Sequence, residues 1–337
     1  SPFPPRWSRS SSNTRFPTSR RDPTIMAFYL EELTIRLATG VSQFPPDDRQ
    51  ALAQFLVAAQ QPDGGFSGRE GGSDLYYTSF ALRGLAILGE LQGDIADRCA
   101  AYLIDQLQGE VANVDFFSLL YAAALLETAA GISIYEQSDP SWPERVADKL
   151  ELLRRDDGGY AKAEEGMASS TYHSFLVLLS QQLIKRPLPN PEKLVEFLYS
   201  QQAEEGGFLE IRASKRAGTN PTAAAIAALR ILEALDEQTR GRTAGFLSQM
   251  QTDEGGIRAN TRIPIADLLS TFTGMLTLGD LDALEMIDDA AALRYARSLQ
   301  QPCGGFLGAA WDEQVDVEYT FYGIGSCALV AAAQYDQ

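Results

Sequence analysis

Pairs of adjacent glycines recur along the chain at a nearly constant spacing. They are Gly64-Gly65, Gly158-Gly159, Gly206-Gly207, Gly255-Gly256 and Gly304-Gly305. The last four pairs are separated by 48, 49 and 49 residues, and the first interval of 94 residues is close to twice 47. A unit around the segment "QLQGEVAN" (106–113) that has lost its glycines would complete the series. A fixed period of this size is typical of repeat architectures, and the chain is predicted to contain six repeats of about 48 residues.

Each repeat has the same order of sequence signals. A Gln-rich turn precedes the glycines at Gln60-Gln61, Gln106 and Gln108, Gln201-Gln202, Gln249 and Gln251, and Gln300-Gln301. An aromatic residue usually follows them, at Phe66, Tyr160, Phe208 and Phe306. A Ser or Thr then comes at Thr78, Ser118, Thr171, Thr222, Thr271 and Thr320. We expect these hydroxyl residues to open the second helix of each repeat, because Ser and Thr can satisfy free N–H groups at a helix start.

The two helices of a repeat differ in polarity. Second helices such as "TAAAIAALRIL" and "TFYGIGSCALVAAA" are apolar or small on all sides, which indicates burial, whereas first helices such as "PEKLVEFLYSQQ" carry charges. Neither end repeat has the polar cap that an open solenoid needs. Twelve helices in two alternating classes therefore predict a closed double barrel. Its glycines turn the chain from an outer to an inner helix and do not form a nucleotide loop, since the Walker Lys and Ser/Thr are missing.

Charge and composition exclude several classes of function. The formal charge of −17 argues against binding nucleic acid or a broad anionic membrane surface. No run of about 18 apolar residues is present to span a bilayer. The three cysteines, Cys99, Cys303 and Cys327, are scattered, which favours a reducing compartment, and we expect a cytoplasmic protein.

The first 25 residues differ from the rest of the chain. They contain five arginines, many serines and prolines, and Asp22 as their one acid. This composition predicts a disordered basic leader over 1–25. Met26 is a candidate natural start, and the helical repeats are predicted to form a single domain over 26–337.

The repeat signature resembles that of the prenyltransferase and squalene-cyclase superfamily. Gln60–Gly68 with Asp74, Tyr77 and Thr78, and Gln300–Gly308 with Asp316, Tyr319 and Thr320, carry the resemblance, which extends over about residues 30–335. It implies an all-α fold, the α6/α6 toroid, whose central cavity holds an isoprenoid. One branch of the superfamily comprises the zinc-dependent β subunits of protein prenyltransferases, and the other comprises class II terpene cyclases, which protonate their substrate.

The zinc ligands that the first branch implies are not retained. That branch binds zinc through an Asp-x-Cys pair in the fifth repeat and a His in the sixth. Asp267 matches, but Leu269 and Tyr319 stand at the Cys and His positions. Leu cannot ligate zinc and neutral Tyr does so poorly, so no zinc site is predicted.

Three acids occupy equivalent positions in different repeats. Asp74, Asp267 and Asp316 each lie four residues before the Thr of an inner helix. The repetition indicates a scaffold role, and a polar catalytic site at one end of the cavity is the alternative. Binding of Mg²⁺ by these aspartates stays an open possibility, since the ion would need several further oxygen ligands. No other cofactor is predicted.

Basic residues cluster in two loops that the resemblance connects with diphosphate binding. The family positions themselves are occupied here by Gly218, Thr261 and Pro264. The same loops carry Arg212, Lys215, Arg216, Arg258 and Arg262, with only Glu210 as a nearby acid. Because each loop leads into a helix N-terminus, which favours anions, they could form a relocated diphosphate clamp. Solvated surface loops are the other interpretation.

Glu318 is the candidate general acid of the second branch. The cyclase motif D-x-D-D-T corresponds here to Asp316-Val317-Glu318-Tyr319-Thr320, with Glu318 at the position of the protonating Asp. A carboxyl group in an apolar cavity has a raised pKa and stays protonated, as an acid catalyst requires. Against this, known cyclases of the branch usually pair two toroidal domains, and Glu318 could instead cap its helix.

Aromatic residues near the inner-helix starts are predicted to line the cavity. They are Tyr76, Tyr77, Phe80, Phe117, Tyr121, Tyr172, Phe272, Tyr319 and Tyr322. Aromatic faces suit isoprenoid chains and stabilise carbocations, although such residues are also common in ordinary cores. His173, the single histidine, is interpreted as structural.

Three functional hypotheses follow. The leading one is a zinc-independent enzyme that acts on an isoprenyl diphosphate and resembles prenyltransferase β subunits, for which an α-type partner subunit stays open. The second is a class II-type terpene cyclase with Glu318 as general acid. The third is a non-catalytic lipid-binding or scaffold toroid.

Overall fold

The structure is a computed structural model that describes residues 29–107, 113–136, 138–165 and 167–335, and these ranges contain thirteen α-helices. In chain order the helices are α1 (Tyr29–Ser42), α2 (Pro46–Ala58), α3 (Leu75–Leu88), α4 (Asp94–Gln106), α5 (Asn113–Ala130), α6 (Trp142–Glu151), α7 (Thr171–Leu183), α8 (Pro191–Ser200), α9 (Thr219–Ile231), α10 (Glu237–Ser248), α11 (Leu268–Asp280), α12 (Asp289–Ser298) and α13 (Val317–Tyr335). A 3₁₀-helix covers Leu284–Met286, and the short strands β1 (Tyr160–Ala161) and β2 (Ser169–Ser170) pair antiparallel. The predicted leader, 1–25, and Met26 lie outside the described residues.

Six helices form a closed inner ring. The helices α3, α5, α7, α9, α11 and α13 contact one another in this order, and α13 returns to α3. The helices α2, α4, α8, α10 and α12 each pack on the inner helix that follows them in sequence. The predicted α6/α6 toroid is therefore confirmed. Within the described ranges, no helix combines the length and the apolar character that crossing a bilayer requires.

The first glycine of each pair lets a loop lie directly on the next outer helix. Gly64 has φ +93°, and a Cβ atom there would lie 2.2 Å from the carbonyl oxygen of Arg98 on α4. Gly158, Gly206 and Gly255 meet Lys193 on α8, Arg242 on α10 and Ala291 on α12 in the same way. Gly304 meets Ala51 on α2, at 2.4 Å. The last repeat thus packs on the first, which closes the outer ring.

The recurring hydroxyl residues fasten these loops to the inner helices. The Thr78 hydroxyl accepts a hydrogen bond from the Phe66 N–H group at 2.9 Å. Ser174, Thr222, Thr271 and Thr320 do the same for residues 160, 208, 257 and 306, at 2.8, 2.8, 2.9 and 3.1 Å. The loop aromatic Phe66 is fully buried, and such burial stabilises the fold by about 1.5–3 kcal/mol per side chain.

The expectation that these hydroxyl residues open the inner helices is therefore wrong, except at Thr171, which is the first residue of α7. α3 begins three residues before Thr78, and its N-cap is Asp74. In the third repeat, Ser174 holds the loop, while Ser170 caps α7 just before Thr171. A Thr four residues beyond the cap cannot reach the free N–H groups of the first turn, and its hydroxyl points to the neighbouring loop instead.

α1 is additional to the twelve helices that the repeats predict. Its C-terminal half packs closely on α13, because Gly40 lets the Ala328 carbonyl oxygen approach to within 2.0 Å of where a Cβ atom would lie. Its N-terminal half crosses towards other inner helices: the Thr34 and Tyr121 hydroxyls, on α1 and α5, are 3.5 Å apart. α1 therefore lies across one end of the inner ring.

A buried carboxylate anchors this crossing. Asp280, at the C-terminal end of α11, accepts hydrogen bonds from Tyr29 at 2.8 Å and from Arg230 of α9 at 2.8 Å. It also pairs with Arg36 of α1 at 3.0 Å. α1 thus covers the end of the ring at which α9 and α11 terminate, and the loops that precede the inner helices surround the opposite end, which we call the mouth.

Ring closure at Gly304 can be tested with a matched pair of glycines. We expect Gly304→Ala to destabilise the protein more than Gly71→Ala. Both glycines have positive φ, but Gly71 has open space around it, whereas Gly304 abuts Ala51. The strain of positive φ costs about 1–2 kcal/mol at either position, and the clash at Gly304 adds about 1–3 kcal/mol.

Urea unfolding followed by far-UV circular dichroism measures both variants. Equal losses in the free energy of unfolding would show that the contact between the last loop and α2 contributes nothing to stability.

Candidate functional site

A cavity of about 420 Å³ lies inside the inner ring. Aromatic side chains of α3, α5, α7, α11 and α13 form much of its wall, whereas α9 contributes small residues, among them Ala223, Ala224 and Ala227. Leu30 and Leu33 of α1 complete the wall. The cavity is therefore largely apolar and asymmetric, with its smallest side chains on the side of α9.

The N-caps of the inner helices determine which residues face this cavity. Asp74 caps α3, and Tyr76, Phe80 and Arg83, which follow it by two, six and nine residues, all lie on the wall. On α11, capped by Asp267, the corresponding positions are Leu269, Thr273 and Leu276, and these also line the cavity. With 3.6 residues per turn, these spacings place one face of each helix inward.

Most of the predicted cavity aromatics lie on the wall. They are Tyr76, Phe80, Phe117, Tyr121, Tyr172, Phe272 and Tyr322. Their role in binding an isoprenoid stays a prediction.

Tyr77 and Tyr319 are a correction to the predicted set, since neither lies on the wall. Each follows its N-cap by three residues, which turns the side chain about 100° from the inward face. Their rings instead cover Gly68 and Gly308, where a Cβ atom would lie 2.3 and 2.8 Å from the Tyr ring.

Glu318 occupies the inward position two residues after Asp316, beside the cavity. The Tyr76 hydroxyl of the neighbouring helix donates a hydrogen bond to its Oε1 atom at 2.7 Å. Burial raises the pKa of the Glu318 carboxyl group, and the charge of Asp316 raises it further, while the hydrogen bond from Tyr76 and the charge of Arg83 oppose the shift. Tyr76 and Tyr322, which both interact with Glu318, line the cavity. The mouth of the cavity thus holds a carboxyl group, that of Glu318, whose raised pKa favours its protonated form.

The three equivalent aspartates act as helix caps. Asp74, Asp267 and Asp316 accept hydrogen bonds from the backbone N–H groups of residues 77, 270 and 319, at 2.7, 2.7 and 2.8 Å. This geometry agrees with the scaffold interpretation. The predicted catalytic role of Asp267 and Asp316, and Mg²⁺ binding, stay predictions.

Asp316 also joins the first and last repeats. It accepts a hydrogen bond from Arg69 Nε at 2.7 Å, and the same guanidinium group binds Asp312 at 2.6 Å. Arg69 belongs to the loop before α3, whereas both aspartates belong to the loop before α13. The ion pairs therefore connect the two loops across the point where the ring closes.

The basic loops lie apart from the cavity wall. Arg212, Lys215, Arg216 and Arg262 are exposed, and none of the five predicted cations lines the cavity. Arg258 is half-buried and donates a hydrogen bond to the Gln249 carbonyl oxygen at 3.2 Å. A diphosphate clamp in these loops stays a prediction.

Arg83 is a wall residue that sequence reasoning missed. Its guanidinium carbon lies 4.3 Å from the centroid of the Phe80 ring and 4.6 Å from that of Tyr121. In the sequence, a lone Arg in an apolar helix suggests an outward-facing charge. The sequence signal that indicates an inward position is the spacing of seven residues, or two helical turns, between Arg83 and Tyr76.

Glu210 was noted only as an acid near the basic loops, yet it lines the cavity. The Ser170 hydroxyl donates to its carboxylate. Burial raises the pKa of Glu210, while hydrogen bonds from the Ser170 hydroxyl and from the backbone of Tyr172 oppose the shift. The mouth thus holds a second half-buried carboxyl group, on the side opposite α13.

His173 lies outside the central cavity. Its Nδ1 atom is 2.9 Å from the hydroxyl oxygen of Ser170, and burial lowers its pKa. It borders a small separate void with Leu150 and Leu176. This position agrees with a structural role.

The residues at the family's zinc positions do not fit a zinc site. Leu269 lies on the cavity wall without a donor atom, and Tyr319 lies outside it. Among the residues that the structure describes, no group of three or more His, Cys, Asp and Glu side chains is arranged to hold a metal. The absence of zinc from the native protein stays a prediction.

A family model matches most of the chain. The model described as the prenyltransferase alpha-alpha toroid domain matches residues 41–115, 109–258 and 223–336. The chain belongs to this family. The predicted superfamily is thereby confirmed, and the sequence search among curated proteins gave no match.

Solved structures with the same toroid belong to both predicted branches. The Candida albicans protein geranylgeranyltransferase-I complexed with GGPP aligns with a TM-score of 0.67 and 17% identity, over 84% of this chain and 91% of that chain. A variant of the type II terpene cyclase MstE from Scytonema, complexed with geranylgeranyl dihydroxybenzoate, aligns with a TM-score of 0.60 and 15% identity, over 89% and 99%. A glycosidase complexed with glucose aligns with a TM-score of 0.58 and 11% identity, over 90% and 98%. At these identities the likeness shows the fold alone.

The raised pKa of Glu318 in this toroid predicts a pH dependence of stability. A carboxyl group whose pKa is higher in the folded than in the unfolded protein stabilises the fold below its ordinary pKa of about 4.3, and this contribution is lost as pH rises through the folded-state pKa. We therefore expect the wild type to lose stability relative to Glu318→Gln as pH increases from about 4 to 7.

Urea unfolding of both proteins at several pH values checks this expectation. Glu205→Gln removes an exposed carboxylate and controls for the change in net charge. A stability difference that moves in the opposite direction with pH would contradict the raised pKa of Glu318.

Proposed function

We propose that this toroid binds an isoprenoid in its central cavity and cyclises it with Glu318 as the general acid. One observation carries the proposal: a carboxyl group with a raised pKa lies beside the mouth of an aromatic cavity, in hydrogen-bond contact with the wall residue Tyr76. Acid catalysis of this kind needs a protonated carboxyl group, and burial shifts the pKa of Glu318 in that direction.

The chemistry follows from the surroundings of Glu318. Transfer of its proton to an alkene or epoxide forms a new C–H or O–H bond and leaves a carbocation. The Tyr76 hydroxyl stabilises the carboxylate that remains, and the faces of Phe80, Phe272 and Tyr322 stabilise positive charge in the cavity. Loss of a proton from the last cation balances the proton that Glu318 supplies, so the cyclisation is an isomerisation without a co-substrate.

Two observations move the cyclase ahead of the transferase that the sequence favoured. The cations of the basic loops, which would bind the diphosphate of a transferase substrate, do not line the cavity. In addition, the alignment with this chain extends over 99% of the Scytonema type II cyclase. A protein described as a type II terpene cyclase can therefore be as short as one toroid. The objection that such cyclases need two domains therefore does not apply.

Zinc-independent action on an isoprenyl diphosphate is the second candidate. It is favoured by the alignment with a geranylgeranyltransferase-I complexed with GGPP and by the exposed cations near the mouth. An α-type partner subunit would belong to this candidate. The third candidate, a toroid without catalysis, predicts binding and no product.

Incubation of the purified protein with geranylgeranyl diphosphate and with squalene, followed by product analysis, tests these proposals. We expect a cyclic product, and we expect Glu318→Gln to lower its rate of formation about 10²- to 10⁴-fold while ligand binding persists. Glu205→Gln, with an exposed carboxylate, is the matched control.

The other outcomes contradict the cyclase. Release of diphosphate that is lost on replacing Arg212, Arg216 and Arg258 would support the transferase. Tight binding without any product would support a non-catalytic toroid.

A further inference from the structure

The cavity contains an arginine, Arg83, whose guanidinium group has few polar partners among the described residues. Arg83 lies on a wall that is otherwise largely aromatic, with its guanidinium carbon 4.3–5.9 Å from the ring centroids of four residues, namely Phe80, Phe117, Tyr121 and Phe321. Such contacts orient the guanidinium plane and offset part of its desolvation. They leave the N–H groups in that plane free to bind an acceptor.

The polar partners of Arg83 are few. Its Nη2 atom donates to the Ser79 hydroxyl at 3.1 Å, and its Nε atom is buried without a hydrogen-bond partner. Two other half-buried arginines differ from it, since Arg230 and Arg36 both pair with Asp280. Arg83 is half-buried and forms no ion pair within 4.0 Å with any residue that the structure describes, although its charge acts on Glu318 from farther away. A guanidinium group without a direct ion pair is costly in an apolar cavity, which indicates that a ligand supplies the anion.

The depth of Arg83 sets where that anion lies. Arg83 follows Tyr76 by seven residues on the same face of α3, which corresponds to about 10 Å along the helix axis. Tyr76 marks the level of Glu318, because the two are hydrogen-bonded. This separation applies to the backbone, and the guanidinium group reaches back by about one turn to Ser79. The anion site therefore lies deeper than the acid, towards the end that α1 covers.

We propose that Arg83 binds the anionic group of the substrate, a carboxylate or a phosphate, and so orients the isoprenoid with an alkene or epoxide at Glu318. This rests on the proposed function for the position of the reacting group. It also removes a conflict in that function: a free guanidinium group would repel the carbocation formed nearby, whereas an ion-paired one does not. A neutral isoprenoid is accordingly a poor ligand.

Calorimetric binding measurements on the Glu318→Gln background, where turnover is blocked, test the proposal. The probes share one chain: geranylgeranyl diphosphate, the corresponding C20 carboxylate and the neutral alcohol geranylgeraniol. Arg83→Met keeps the length and the apolar stem of the side chain, and Arg83→Lys keeps the charge. Arg294→Met, which removes an exposed cation from α12, is the matched control.

We expect Arg83→Met to weaken binding of the preferred anionic probe about 10- to 100-fold and to leave binding of the alcohol unchanged. Arg83→Lys should retain part of the affinity, which also keeps the test valid if the Met variant does not fold. The ratio of diphosphate to carboxylate affinity identifies which anion the site takes.

Equal losses for the anions and the alcohol would overturn the proposal, as would a selective loss in Arg212→Met and not in Arg83→Met. The readout is binding, so it is separable from catalysis. A selective effect of Arg83→Met without any cyclic product from the wild type would uphold the anion site and refute the cyclase.

Discussion

The close approach of each glycine loop to the next outer helix is the contact on which the architecture depends. A backbone carbonyl lies where the Cβ atom of Gly64 or Gly304 would be, so no other residue fits there without movement. The contact recurs from repeat to repeat and finally returns to α2. Because each hairpin is placed by its neighbour, the ring closes without a separate capping element, and the ion pairs of Arg69 strengthen the closure.

Closure also fixes the register of the inner helices, and through it the chemistry of the cavity. The same cap position begins several helices, at Asp74, Asp267 and Asp316, so the residue two places later reaches the mouth each time. In α3, α11 and α13 that residue is Tyr76, Leu269 or Glu318. The backbone scaffold is thus repeated, whereas the chemical site occurs at one place in it, where Glu318 of α13 meets Tyr76 of α3.

The sequence predicted the repeat, the closed toroid and the aromatic character of the cavity, because glycine spacing and helix polarity report directly on backbone packing. It predicted less well which way individual side chains point. Tyr77 and Tyr319 are one residue away from inward positions, and an unknown helix start makes that difference invisible. The role of Thr78 and its equivalents depends on a contact with the preceding loop of the same repeat, 12 or 14 residues away. The roles of Arg83 and of Asp280 depend on contacts between repeats, which no local pattern encodes. α1 has no counterpart in the repeat and therefore could not be inferred from it.

A closed circle of six hairpins has a fixed circumference, and this limits how such a protein can diversify. An open array can lengthen its binding surface by duplicating a unit, but a seventh hairpin here would open the join between the loop at Gly304 and α2. New ligand sizes must therefore come from residue exchanges within the lumen. The row Ala223, Ala224 and Ala227 offers the widest choice of such exchanges, because alanine is the smallest side chain on the wall.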